Sequence, residues 1–189
     1  MKNILNINTR EEFRNWLQKN IKSESECWIN LKRGKPINNN IFYYLDAVEE
    51  ALCFGWIDSI QKLIDNKCMQ RFTPRKKNSS WTELNKERVR RLEKLGLMTD
   101  AGRAVLPLSI KTSNFNIDLD IKTEMQKAQV WSKFKSFPLL YQRIRVSNLI
   151  SYKKYDILKY KKFLMHLIEK TRQGHMFGQW NDYGRLLNY

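Results

Sequence analysis

The sequence is poor in the residues that make up familiar catalytic and metal-binding motifs. Its seven glycines are scattered along 189 residues, so no glycine-rich loop is present to cradle a phosphate group. The two histidines, His166 and His175, do not have the spacing of metal ligands, and no Ser–His–Asp or Cys–His set can be assembled. These absences argue against redox and hydrolytic enzymes, and we expect neither a cofactor nor a metal ion.

Cysteine and long hydrophobic runs are also scarce. Cys27, Cys53 and Cys68 are odd in number and lack the close pairing of a zinc site or a redox CxxC motif. The N-terminus has no apolar stretch long enough for a signal peptide, and no window approaches the ~20 apolar residues of a membrane span. We therefore expect a cytoplasmic protein with reduced thiols and no membrane span.

Acidic residues are few relative to basic ones. The chain has 35 Lys and Arg against 19 Asp and Glu, which gives a formal net charge of +16. This excess favours nucleic acid, anionic lipid or a phosphorylated ligand as a partner, although it says nothing about the fold. An AT-rich genome, which favours Lys, Asn and Ile, is the alternative explanation. At 42% hydrophobic residues, the chain can bury a core.

Hydrophobic periodicity predicts an α+β fold class, with a small antiparallel sheet packed by helices in the N-terminal half and mostly α-helix afterwards. Thr9 and Glu12 form a capping box, in which each side chain satisfies a backbone donor at the start of a helix. The alternation of residues 28–31 predicts a strand. A second helix follows, and Gly55 stands where its C-terminal cap belongs. One face of that helix is apolar, and the other carries Asp46, Glu49 and Glu50.

Two extended runs, 56–64 and 68–73, predict a β-hairpin because the residues 65–67 between them are typical of a turn. A polar loop then leads to a second capping box at Ser80 and Glu83, which begins the next helix.

Three regions follow from this pattern. We expect an α+β domain at 1–106 and a connecting segment at 107–122. A helical C-terminal region at 123–189, packed on the first domain, completes the chain. Its helices are predicted at about 123–134, 138–150 and 155–171.

The residues between Trp56 and Trp81 carry the most chemical information. From Arg71 to Lys94 there are nine basic and three acidic residues, a net charge of +6. Several of the basic residues precede a helix N-terminus, where unpaired N–H groups and the helix dipole already favour an anion. The candidate ligand-binding residues are Trp56, Asp58, Ser59, Arg71, Arg75, Lys76, Ser80 and Trp81. The basic residues can equally lie on a solvated loop and helix face, and both tryptophans can belong to the core.

Asp58 is the only residue of this set that we consider as a catalytic acid or base. It lies on an apolar strand, so it needs a partner, which Arg71 or Arg75 would supply. One interpretation makes Asp58 a positioned acid or base in a cleft. The other makes it half of a structural ion pair.

The C-terminal half offers a second basic surface. Lysines between 153 and 162 alternate with tyrosines, and helical spacing can place the aromatic residues and Leu158 inward with the lysines outward. Such a surface would fit a phosphate backbone, but a helix without any partner has the same pattern.

Several short segments of the N-terminal half form a distinctive set in a fixed order: residues 46–59 (DAVEEALCFGWIDS), 71–76 (RFTPRK), 80–81, 85–86, 88–89 and 96–102 (GLMTDAG). Through these segments the N-terminal half resembles the bacterial YdeI/OmpD-associated family of bacteriocin-protection proteins. In the C-terminal half, Trp131, Phe134, Phe137, Pro138 and Tyr141 are similar to a further pattern of that family. The resemblance implies an intracellular bacterial protein linked to antimicrobial-peptide protection or envelope stress. It implies an antiparallel sheet packed by helices, with no catalytic activity or cofactor attached.

Three functions remain open from the sequence. The first is a binding protein that holds an anionic small molecule, an acidic peptide or a nucleic acid at the basic, aromatic segment. The second is an enzyme that uses Asp58 as acid or base, with Arg71 and Arg75 as an anion clamp. The third is an adaptor or self-associating protein that uses its aromatic C-terminal half. The sequence leaves the oligomeric state and the role of the tail at 174–189 undetermined.

Overall fold

The structure is a computed structural model that describes residues 3–38, 40–110 and 115–189. Its N-terminal half contains β1 (Ile4–Leu5), α1 (Arg10–Asn20), β2 (Cys27–Asn30), α2 (Tyr44–Cys53), β3 (Trp56–Ile64), β4 (Lys67–Pro74), α3 (Glu83–Lys94) and α4 (Asp100–Arg103). After a 3-10 turn at Leu108–Ile110 come α5 (Leu119–Lys127), α6 (Trp131–Lys135), α7 (Leu139–Tyr155), α8 (Ile157–Arg172) and a 3-10 turn at Asp182–Gly184. The expected α+β fold class is confirmed.

The chain divides into two compact units. The first consists of residues 1–80, 88–110 and 189, and the second of residues 81–87 and 111–188. Within the connecting segment expected at 107–122, residues 111–114 lie outside the described residues.

The first unit is built on a four-stranded sheet in the order β1-β2-β4-β3. Strands β2, β4 and β3 are antiparallel neighbours, whereas the two-residue β1 runs parallel to β2 and makes the sheet mixed. The predicted hairpin is present, and its turn places Asp65 and Asn66 at φ of 47° and 59°. Two consecutive left-handed residues give the turn the twist that a tight hairpin requires, and Asp and Asn tolerate that conformation.

One face of the sheet packs on α1 and α2. Phe13 on α1 lies with its ring centroid 5.4 Å from that of Phe72 on β4, and Trp16 contacts the buried Trp56 edge-on at 5.7 Å. Helix α1 begins at the predicted capping box, because Thr9 accepts a hydrogen bond from the backbone of Glu12. The ring contacts place α1 against β3 and β4.

The start of α3 differs from the predicted capping box at Ser80 and Glu83. The side chain of Thr82 accepts the hydrogen bond from the backbone of Asn85, at 3.2 Å, and the helix begins at Glu83. The cap is therefore two residues later than expected. The carbonyl of Ser80 instead accepts a hydrogen bond from the side chain of Arg75.

The second unit is helical and has its own core. Phe134, Tyr141, Leu149 and Leu167 are fully buried among the residues of this core. The helix expected at 123–134 is two helices, α5 and α6, because Gln129 adopts φ of 57° between them. A left-handed residue cannot continue a right-handed helix.

Helix α8 turns a different face inward from the one that we expected. Tyr160, Leu164 and Leu167 recur at helical spacing and are buried, whereas Leu158 is 76% exposed and Tyr155 is 75% exposed. The expectation that Leu158 and all the aromatic residues of this segment point inward is therefore wrong. Among the described residues, no helix has the length and apolar character that crossing a membrane requires.

Candidate functional site

Tyr44 and Asp58 form the centre of the candidate site. Tyr44 is the first residue of α2, Asp58 is the third residue of β3, and the tyrosine hydroxyl donates a 2.6 Å hydrogen bond to Asp58 Oδ2. Both side chains are half-buried. Burial, and then the Asp58 carboxylate, raise the pKa of Tyr44 well above its usual value. The phenol therefore stays protonated and acts as a donor.

Arg33 covers the tyrosine ring from the solvent side. Its guanidinium lies 4.0 Å from the ring centroid of Tyr44, and its Nη2 donates a 2.7 Å hydrogen bond to the side-chain oxygen of Gln70. Gln70 is buried, and its amide donates to the carbonyls of Ile60 and Arg71, each at 3.2 Å. Gln70 thus holds Arg33 in place while Arg33 itself remains exposed to solvent.

Arg75 approaches the same pair from the end of the hairpin. Its backbone N–H donates to the carbonyl of Gly55 at 2.8 Å, and its Nη1 donates to Ser80 O at 2.9 Å and Ser79 Oγ at 3.1 Å. The side chain is only 6% exposed. Burial lowers the pKa of Arg75 to about 10, and the Asp58 carboxylate opposes that change.

Charged groups of both signs act on Tyr44. Arg88 and Arg33 both lower the pKa of the tyrosine through space, although less than burial and Asp58 raise it. The Asp58 carboxylate also acts on Arg75 through space. We call the set of these residues the arginine–tyrosine cluster: Arg33, Tyr44, Asp58, Arg75 and Arg88. Arg33 is exposed, and an exposed guanidinium attracts anions.

Arg71 does not belong to the cluster, which corrects the expectation that it would be a partner of Asp58. Asp58 lies opposite Phe72 in the register of the hairpin, so their side chains share the face that packs on the helices. Arg71 precedes Phe72 and therefore points to the other face. There its Nε lies 2.7 Å from Glu26 Oε2, and the two side chains form an ion pair.

The other predicted ligand-binding residues occupy several environments. Trp56 is 1% exposed in the core of the first unit, so it is a packing residue rather than a surface for a ligand. Ser59 and Lys76 are exposed, and Ser80 contributes its carbonyl to Arg75. Trp81 is half-buried and belongs to the second unit. Of the predicted set, the structure groups Asp58, Arg75 and Ser80.

A β-bulge lies directly beside the cluster. The pairing of β3 with β4 shifts between Asp58 and Gln61, so that Ser59 and Ile60 both stand opposite Arg71. Gln70 donates a hydrogen bond to the carbonyl of Ile60 within this bulge. The bulge therefore bends the outer strand at the point where Gln70 orients Arg33.

A second charged feature, a group of buried carboxylates on α2, was not predicted from the periodicity of the helix. Asp46, Glu49 and Glu50 are all buried, although the sequence places them opposite the apolar face. Glu49 is fully buried and lies 2.8 Å from Arg91 Nη1 and 2.9 Å from Arg10 Nη1. We call the set the buried carboxylate network: Arg10, Arg14, Asp46, Glu49, Glu50 and Arg91. Only tertiary structure brings α1, α2 and α3 close enough to form it.

Two cavities lie away from the cluster. One of about 460 Å³ lies in the first unit between Ile4–Asn8 of the N-terminal segment and the turn of the hairpin. The other, about 230 Å³, lies in the second unit beside Gln129, Lys133 and Arg172. Neither is lined by a residue of the arginine–tyrosine cluster. Among the described residues, no group of three or more His, Cys, Asp or Glu side chains is placed to hold a metal ion.

Comparison with known proteins identifies a family without a known function. A family described as a domain of unknown function (DUF8412) matches residues 5–105. No curated protein and no solved structure matches the chain. The family match covers more than half of the 189 residues, so the chain belongs to the DUF8412 family.

Proposed function

We propose that this member of the DUF8412 family is a non-catalytic binding protein for an anionic ligand, with the arginine–tyrosine cluster as its site. The observation that carries the proposal is the exposed guanidinium of Arg33, which lies 4.0 Å from the ring centroid of Tyr44 and donates a 2.7 Å hydrogen bond to Gln70. Anionic oxygens of a ligand would accept hydrogen bonds from this guanidinium.

Arg33 is the residue that we expect to meet the ligand first. Its guanidinium is exposed, and stacking on Tyr44 together with the hydrogen bond to Gln70 restricts its orientation. A guanidinium fixed in one plane presents a fork of N–H donors that matches a phosphate or carboxylate. Because the orientation is set before the ligand arrives, less conformational entropy is lost on binding.

Arg75 supplies buried positive charge behind this first contact. Burial lowers its pKa to about 10, which means that its charged form is less favourable than in water. An anion close to the guanidinium stabilises that charged form, and the resulting free energy contributes to affinity. Its hydrogen bonds to Ser79 and Ser80 hold the group in position.

The alternative, an enzyme with Asp58 as acid or base, has less support. Asp58 Oδ2 accepts the 2.6 Å hydrogen bond from Tyr44, and the raised pKa of Tyr44 makes that phenol a poor acid. These contacts favour a role for Asp58 in orienting Tyr44 under the Arg33 guanidinium.

The experiment is a thermal-shift screen with nucleotides, phosphosugars, acidic peptides and oligonucleotides, followed by titration of each hit. A ligand that binds the native state raises the melting temperature. Arg33→Ala should weaken a hit at least tenfold, since a hydrogen bond to a charged group contributes about 1.5–3 kcal/mol. Arg103→Ala is the matched control, because Arg103 is an exposed arginine that pairs with Glu93 and Asp100.

The proposal fails if no anion raises the melting temperature, or if Arg33→Ala and Arg75→Ala bind every hit as tightly as Arg103→Ala does. The ligand class follows from salt dependence, because affinity for a polyanion falls steeply with ionic strength. Affinity for a small phosphorylated molecule should fall less.

The biological setting that we propose follows the resemblance to the YdeI/OmpD-associated family, namely protection against antimicrobial peptides or envelope stress in bacteria. The proposal includes a cytoplasmic location. Cys27, Cys53 and Cys68 are all free thiols, which is the usual state of cysteine in a reducing compartment.

A further inference from the structure

Exposed apolar side chains are concentrated where α7 meets α8. Five of the sixteen large apolar side chains that are exposed among the described residues lie within residues 150–165. We call these five the corner patch: Ile150 (42% exposed), Tyr155 (75%), Ile157 (52%), Leu158 (76%) and Met165 (71%). Isolated apolar residues on a surface are ordinary, but several that are close along the chain are a reason to look for a partner.

The local structure explains why these residues face outward. Asp156 ends α7 and caps α8, since its side chain accepts a hydrogen bond from the backbone of Lys159 at 2.9 Å. The buried face of α8 is set by residues such as Tyr160, Leu164 and Leu167. Leu158 and Met165 are seven residues apart and lie on the opposite face of the same helix.

Lysines surround the corner patch. Lys154, Lys159, Lys161 and Lys162 are all exposed. Lys161 and Lys162 lie between Leu158 and Met165 along the exposed face of α8. Lys153 differs, because it pairs with Asp118 and Asp120. The outward surface of this corner therefore combines aliphatic side chains with several positive charges.

We propose that the corner patch is a docking site for an anionic membrane surface. An anionic bilayer offers phosphate groups to the lysines and acyl chains to Ile157, Leu158 and Met165, so it satisfies both components of the patch. Tyr155 has an apolar ring and a polar hydroxyl, a combination that suits the headgroup region. The binding is peripheral and independent of the anion site in the first unit.

Two other partners match the patch less well. A nucleic acid would engage the lysines through its phosphates, but its charged backbone offers no apolar surface to Ile157, Leu158 and Met165. A second copy of the chain would bury the apolar side chains, but it would bring two sets of lysines together, and like charges oppose such contact.

The test is co-sedimentation of the full chain with vesicles of neutral phosphatidylcholine and with vesicles that contain 30 mol% phosphatidylglycerol. We expect binding to the anionic vesicles that weakens as salt is added. The Ile157→Asn/Leu158→Asn variant should bind at least tenfold more weakly, because it removes apolar side chains that would leave water on binding. Both side chains are exposed, so their replacement should not disturb the core. Its control is Leu63→Asn/Leu108→Asn, which replaces side chains that are 73% and 95% exposed elsewhere.

The charge component has its own pair of variants. Replacing Lys154, Lys161 and Lys162 with serine should weaken binding on the order of 100-fold, because each lysine near an anionic surface increases the affinity about fivefold. The control replaces Lys19, Lys22 and Lys35, which are also exposed, and changes the net charge equally. If both triple variants lose binding to the same extent, the overall charge is responsible and the proposal is overturned.

Other outcomes also overturn the proposal. They are equal binding to neutral and anionic vesicles, no binding to either, and anionic binding that survives Ile157→Asn/Leu158→Asn unchanged. Tighter binding to a single-stranded oligonucleotide that depends on the same lysines would assign the patch to nucleic acid instead. The protein carrying Arg33→Ala should bind vesicles like the wild type, because Arg33 is not part of the corner patch. Vesicle binding therefore tests the corner patch even if the anion-site proposal fails.

Discussion

Arg91 Nη1 lies 2.8 Å from Glu49 Oε1, and the glutamate side chain is fully buried in the first unit. The same carboxylate accepts a hydrogen bond from Arg10 at 2.9 Å. Arg91 belongs to α3 and Arg10 to α1, so Glu49 on α2 joins three helices through charge-assisted hydrogen bonds. The pairing keeps a buried charge from being isolated in a low-dielectric environment.

Replacing Glu49 with alanine should lower the free energy of unfolding by about 3–5 kcal/mol, because it removes the ion pair of Arg91 and one of the three carboxylates that pair with Arg10. Urea denaturation followed by circular dichroism measures the change. Glu124→Ala is the control, since Glu124 pairs with Lys127 on the surface and should cost less than about 1 kcal/mol. Equal losses in the two variants would show that the network does not stabilise the fold.

Gly102 on α4 should not tolerate a side chain. A Cβ at this position would lie 2.2 Å from the carbonyl oxygen of Cys53. That carbonyl is held by hydrogen bonds from Thr99 N at 3.1 Å and Thr99 Oγ1 at 2.7 Å, so it cannot move away freely. We expect Gly102→Ala to lower the free energy of unfolding by roughly 3 kcal/mol or more.

Gly96 provides the comparison for that substitution. It has φ of +69°, but nothing lies within 4 Å of an added Cβ. Gly96→Ala should therefore cost only the strain of a left-handed alanine, about 1–2 kcal/mol. Thermal unfolding of the two variants measures the difference. A Gly102→Ala protein as stable as Gly96→Ala would contradict the close approach of α4 to the end of α2.

The ion pair of Glu26 with Arg71 should make stability depend on pH. Hydrogen bonds from Arg71 and Trp28 hold the pKa of Glu26 below its usual value near 4.5. A folded-state pKa below the unfolded one means that the carboxylate stabilises the fold above about pH 4.5. This contribution is lost as the pH falls through the folded-state pKa.

Glu26→Gln should therefore be less stable than the wild type at pH 7, by less than about 1 kcal/mol because the pair is partly exposed. The difference should close on acidification below pH 4.5. Denaturation series at pH 7 and at successively lower pH test this. In an Arg71→Ala background the same substitution should have a smaller effect, and an unchanged effect would remove Arg71 as the cause.

Local signals in the sequence predicted the fold well. The capping box of Thr9 and Glu12 and the turn at Asp65 and Asn66 involve residues that are close along the chain, and the structure confirms both. The two-residue β1 is too short to leave a pattern, so only its pairing with β2 reveals it.

The candidate site was harder to predict because it depends on contacts between distant segments. Strand alternation already places Arg71 and Phe72 on opposite faces, but the register of the hairpin is needed to show that Asp58 shares the face of Phe72. Tyr44 stands in the apolar face of α2, where its spacing gives no sign of a hydrogen bond to Asp58. Arg33 lies in a loop and is 37 residues from Gln70, the side chain that orients it.

The bulge between Asp58 and Gln61 has a consequence for how the protein behaves at high concentration. β3 is the last strand of the sheet, and residues 59–63 of it are exposed, including Ile60 and Leu63. An outer strand that is long and regular offers a template on which other chains add as strands and aggregate. The bulge interrupts the regular row of backbone donors and acceptors, and Lys62 adds a charge of the kind that discourages pairing at an edge strand. The same bulge that accepts a hydrogen bond from Gln70 therefore protects the sheet from edge-to-edge polymerisation.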